Sequence, residues 1–72
     1  MFMEELRING KVKEFEAGGV PGNLLLLLEL LRIDSATVVA ELDGKIIERK
    51  DFESTSLKAG QSLELVRFVG GG

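Results

Sequence analysis

Two dipeptides constrain this 72-residue chain more than any other feature: Asn9-Gly10 and Asp43-Gly44. The hairpin turn that best matches strand twist needs positive φ at both central positions, and Asn-Gly and Asp-Gly are the pairs that tolerate it. Each dipeptide stands between short strand-like segments. Glu5-Leu6-Arg7-Ile8 alternates polar and apolar residues, the period of a half-buried strand. Lys11-Val12-Lys13-Glu14-Phe15 reads as its return, with Val12 and Phe15 as candidate core residues. Thr37-Val38-Val39-Ala40-Glu41-Leu42 is rich in β-branched residues, and Lys45-Ile46-Ile47 leaves the second turn as a short strand.

Between the two hairpins the pattern changes. Ala17-Gly18-Gly19-Val20-Pro21-Gly22 is a loop by its glycine and proline content. Asn23 is an N-cap residue for a helix over 24–32, whose Leu24, Leu27, Leu28 and Leu31 share one face and should pack on a sheet. Leu25 and Leu26 fall outside that stripe and are either covered by loops or left as an apolar surface. Beyond the second hairpin, Glu48 to Phe52 has the character of a helical turn that tucks Phe52 inward, and a turn is centred near Gly60. Leu63 to Phe68 is the last strand, followed by Val69-Gly70-Gly71-Gly72. The order is strand, strand, helix, strand, short strand, loop, strand: an α+β domain with one helix over one sheet face and the other face partly solvated.

Composition closes off several functions. A chain of this length forms one domain with a small core. It has no Cys and no His, which excludes disulfides, thiolate metal sites, cysteine nucleophiles and a histidine-activated serine. The net charge of −3, without a basic stripe, argues against nucleic acid as a partner. The leucine run from Leu24 to Leu28 is interrupted by Glu29 and is far short of the ~20 residues of a membrane span. The opening Met1-Phe2-Met3-Glu4-Glu5 lacks the basic start of a signal peptide, so the expected location is the cytoplasm, with no membrane partner. The loop at 18–22 lacks the Gly-Lys-Ser/Thr ending of a phosphate loop, and Glu4, Glu5, Glu14 and Glu16 read as a solvated surface.

Asn9-Gly10, the segment Val39-Ala40-Glu41-Leu42-Asp43-Gly44 and the ending Val66-Arg67-Phe68-Val69-Gly70-Gly71-Gly72 together resemble the bacterial ubiquitin-like sulfur carriers, most of all their thiamine-biosynthesis branch. The resemblance covers nearly the whole chain, and the tail is its most specific part. It implies a ubiquitin-like β-grasp fold, with a mixed sheet of four to five strands covered on one face by one helix. Residues 1–69 would form that domain and 70–72 a flexible tail. One departure is the segment Glu48-Arg49-Lys50-Asp51-Phe52, where the family often has a Pro-Arg-x-x-Trp pattern.

The resemblance also implies the chemistry. A carrier without cysteine offers its C-terminal carboxylate, here that of Gly72, which is ionised at neutral pH. An adenylating (E1-like) partner enzyme would consume ATP to make the acyl-adenylate, and a persulfide protein would then supply sulfur, leaving a thiocarboxylate. A thiazole synthase would receive that sulfur. The chain itself would bind no cofactor and no metal and would act as a co-substrate rather than an enzyme. Gly71 and Gly72 are the candidate reacting residues and Gly70 a tether; glycine leaves the carbonyl unhindered and threads narrow channels. The bland alternative for the glycines is an ordinary frayed chain end.

Strand alternation puts Leu63 and Leu65 inward, with Val66 and Phe68 on the opposite face just before the tail. Val66 and Phe68 are therefore candidate docking residues for the activating enzyme, unless a bulge buries Phe68. Arg67 and Arg49 can pair with acidic residues of a partner or simply face solvent. Within the same class the alternatives are the small subunit of molybdopterin synthase and other sulfur carriers. Outside it stand a ubiquitin-like binding module and a modifier joined to target lysines.

Overall fold

The chain folds around its two turns as their letters require. In the computed structural model, which describes residues 3–68, Asn9 and Gly10 have φ of 52° and 80°, and Asp43 and Gly44 have 49° and 84°. The first turn joins β1 (Met3–Ile8) to β2 (Lys11–Glu16), and the second joins β3 (Val38–Leu42) to β4 (Lys45–Ile47). One helix, α1 (Leu24–Leu30), lies between the hairpins, and β5 (Ser62–Arg67) comes last. Short 3-10 turns occupy Ser35–Thr37 and Arg49–Asp51. The five strands form one sheet in the order β2-β1-β5-β3-β4. The β1–β5 pairing is parallel and the other three are antiparallel, so the sheet is mixed. The last strand in sequence is thus the central strand in space.

Both turn residues also hold β5. Asn9 donates its backbone N–H to the Leu63 carbonyl at 2.8 Å, and its side-chain Oδ1 accepts from the Leu65 N–H at 2.7 Å. Asp43 does the same from the other side, donating to the Ser62 carbonyl at 2.8 Å while its Oδ1 accepts from the Ser62 N–H at 2.8 Å. These side chains supply bonds where the flanking strands have turned away, and a part-buried backbone N–H left unpaired is costly.

The helix begins at Asn23, whose Oδ1 accepts from the Leu26 N–H at 2.8 Å. The next two free donors of the first turn are met by the chain itself: Leu24 N–H by the Thr55 carbonyl, and Leu25 N–H by that of Phe52. The helix stops two residues before the sequence pattern suggests. Arg32 adopts φ of 59°, its N–H donates to the Glu29 carbonyl, and the Ile33 N–H donates to the Leu28 carbonyl. This is a Schellman C-cap with arginine where glycine is usual.

Leu24, Leu27 and Leu28 are fully buried against the inward row Leu6, Phe15, Val38, Ala40, Leu42, Leu63 and Leu65. Each such leucine contributes about 1.5–3 kcal/mol by burial. Phe52 and Leu57, brought in by the segment after β4, complete the core. The helical turn at 49–51 does tuck Phe52 inward. Leu25 is partly buried against the core, whereas Leu26 is exposed.

One core expectation is corrected. Val12 is half exposed while Phe15 is buried. Three positions apart, the two cannot share a strand face. Phe15 pairs with Glu4 and Lys13 with Leu6 on the helix side, which leaves Val12, opposite Arg7, on the open side.

Candidate functional site

The candidate site is built on β5. With Leu63 and Leu65 turned into the core, Ser62, Glu64 and Val66 face away from the helix, while Arg67, opposite buried Val38, is exposed at the edge of the helix side. Val66 is 61% exposed and Phe68 48%. Phe68 lies one residue beyond the strand but stays tied to the sheet through its N–H, which donates to the Thr37 carbonyl at 2.9 Å. There is no bulge that buries it. Arg67 and Arg49 are exposed as well. Gly70, Gly71 and Gly72, the expected reacting and tether residues, lie outside the described residues, as does Val69.

Strand register adds residues that the linear reading did not place beside these. Val39 is directly opposite Val66, and Ile46 is directly opposite Glu41 on the far side of β3. Val39 is 45% and Ile46 66% exposed. Val39, Ile46, Val66 and Phe68 therefore form an exposed apolar surface at the end of the sheet from which the chain runs on toward its glycines. Exposed apolar groupings of this kind mark interaction surfaces more often than scattered single residues do. Alternation from buried Val38 and Ala40 would have found Val39; Ile46 needed the β3–β4 register.

A hollow of about 90 Å³ lined by Glu5, Leu6, Arg7, Val12 and Gly60 is far below the ~300–1,000 Å³ of small-molecule sites. Among the described residues, no group of three or more carboxylate, His or Cys side chains is placed to hold a metal ion. No helix among them is long and apolar enough to cross a membrane.

Five strands in this order, one helix on one face and an exposed apolar patch around the end of the final strand on the other define a small ubiquitin-like β-grasp protein. Residues 6–72 match the ThiS family, and the chain belongs to that family. The crystal structure of the thiamine biosynthesis protein ThiS from Geobacter metallireducens is similar at 34% identity and a TM-score of 0.72, covering 94% of this chain and 99% of that one. The solution structure of a thiamine biosynthesis protein from the same organism is similar at 34% identity and a TM-score of 0.69, covering 94% and 87%. No curated protein matches significantly.

Proposed function

We propose that this chain is a sulfur carrier for thiamine (thiazole) biosynthesis, acting through the carboxylate of Gly72. The observation that carries the reading is the continuity of the chain. The central strand β5, held on both sides, leads through exposed Val66 and Phe68 into Val69-Gly70-Gly71-Gly72. Membership of the ThiS family and the thiamine role named for its solved relatives support the thiazole branch over a molybdopterin synthase subunit.

In this reading residues 1–69 are a docking domain and 70–72 the reacting tail. An adenylating (E1-like) enzyme docks on Val66 and Phe68, with Arg67 at the edge of the contact. Four residues beyond Phe68 reach at most about 14 Å, so docking sets where the terminal carbon can go. The carboxylate oxygen attacks the α-phosphate of ATP, and pyrophosphate leaves. A persulfide sulfur from a donor protein then attacks the acyl carbon and AMP leaves. A thiol then attacks the donor-side sulfur of the resulting acyl disulfide, forming a disulfide with the donor and releasing the thiocarboxylate. Its sulfur passes to the thiazole synthase, and the carboxylate returns. The partners supply the catalytic groups and the nucleotide site. The carrier supplies recognition and one unhindered carbon, working in the cytoplasm where ATP is available.

The test is pyrophosphate release by the activating enzyme encoded beside this gene, with ATP and the purified chain. Release should depend on the chain and vanish when Gly72 is deleted. If the Gly72-deleted chain supports equal release, the Gly72 carboxylate is not the group that accepts the adenylyl moiety and the reading is wrong.

A further inference from the structure

The open face of the sheet sorts its charges by sign. Glu5 stands directly opposite Glu14, and Glu41 directly opposite Glu64. Like charges directly opposite one another weaken a sheet. Glu16, opposite Met3, lies on the same face. Against these five carboxylates the open-face strand positions hold one cation, Arg7, opposite Val12. The strand lysines are on the other side: Lys11 is paired with Ile8, Lys13 with Leu6 and Lys45 with Leu42. The open face thus carries four net negative charges, while the whole chain carries three. Solubility requires charge, but it does not require that one face take nearly all of one sign. Among the described residues the one ion pair is Lys50 to Glu48 at 3.5 Å, outside the strands; Arg7, two positions from Glu5 on the same face, forms no ion pair with either acidic pair.

The Glu41–Glu64 pair also abuts the apolar surface. Glu64 is two positions before Val66 on β5, Glu41 two positions after Val39 on β3, and Ile46 continues the same row. At about 7 Å per two residues, the acidic row lies within one side-chain length of the Val39–Val66 row. An anionic surface such as nucleic acid or an acidic membrane would be repelled.

Resting on the carrier reading above, we infer that the activating enzyme receives this face with a surface both apolar and basic, seating Val66 and Phe68 in an apolar recess and setting Lys or Arg side chains against Glu41 and Glu64. The repulsion stored in the free sheet is relieved on docking. The pair therefore weakens the isolated fold and strengthens the complex.

Steady-state adenylation is measured over a range of salt with wild type, Glu41→Gln, Glu64→Gln, the double variant and Glu64→Lys, with Glu53→Gln as an off-face control. The double variant should raise KM for the carrier roughly tenfold at low salt, leave kcat unchanged and flatten the salt dependence. Its urea midpoint should equal or exceed that of wild type. Glu64→Lys should be worse than Glu64→Gln. If wild type is adenylated while the double variant keeps the same KM and salt slope, the basic-partner inference is wrong and the carrier reading stands. If wild type is not adenylated at any salt, both fall.

Discussion

Asn9 performs two tasks that substitution can separate. Its backbone sits at φ of 52°, and its Oδ1 accepts the part-buried Leu65 N–H at 2.7 Å. Asn9→Gly keeps the turn but leaves Leu65 without that acceptor, which should cost about 1–3 kcal/mol. Asn9→Ala loses the acceptor as well and places an unsupported Cβ at positive φ, a further ~1 kcal/mol. Asn9→Asp retains an acceptor and tolerates the conformation, so it should stay nearest to wild type. A chain of 72 residues has a total stability of about 4–11 kcal/mol, so the alanine variant should lose a large fraction of it. Urea unfolding followed by far-UV circular dichroism gives the order: wild type and Asp, then Gly, then Ala, with a common m-value. A glycine variant as stable as wild type would refute the side-chain clamp on β5. Equal midpoints for glycine and alanine would refute the conformational contribution. The matter bears on the proposed function because Leu65 lies three residues before Phe68, so a loosened clamp would free the strand that carries the proposed docking residues.

Other perturbations follow from the same structure. Arg32→Gly should raise stability by about 0.5–1 kcal/mol, because arginine holds φ of 59° at the helix C-cap; a lower urea midpoint would contradict this. Phe52→Ala, at a position only 2% exposed, should cost about 3–5 kcal/mol and lower the thermal midpoint by roughly 12–40 °C; an unchanged midpoint would contradict its core role. Val66→Asp and Phe68→Asp should lower stability by about 1 kcal/mol or less yet abolish adenylation; normal adenylation of both would remove the docking surface from the account.

What could be read from the letters was local. Asn-Gly and Asp-Gly announced their turns because few other pairs accept two positive φ values in succession. Asn23 announced the helix start because its side chain bonds within three residues. The helix end was hidden, since Arg32 takes the left-handed conformation without any glycine to mark it. Val12 was misplaced because an apolar letter in a strand gives no face until its register is known. The central position of β5 was also illegible: the Asn9–Leu65 and Asp43–Ser62 bonds span 56 and 19 residues. Within the site, alternation alone turned Val66 and Phe68 outward. Grouping them with Val39 and Ile46, and opposing Glu41 to Glu64, required the pairing of three strands.

In the proposed carrier, sulfur travels on the carbonyl carbon of Gly72. Intact-mass spectrometry after incubation with ATP, the activating enzyme and a persulfide donor asks that question directly, with fragmentation to locate any change. The expected result is a mass gain equal to the exchange of one oxygen for one sulfur, confined to Gly72. An unchanged mass, or an added sulfur located anywhere other than Gly72, would contradict it.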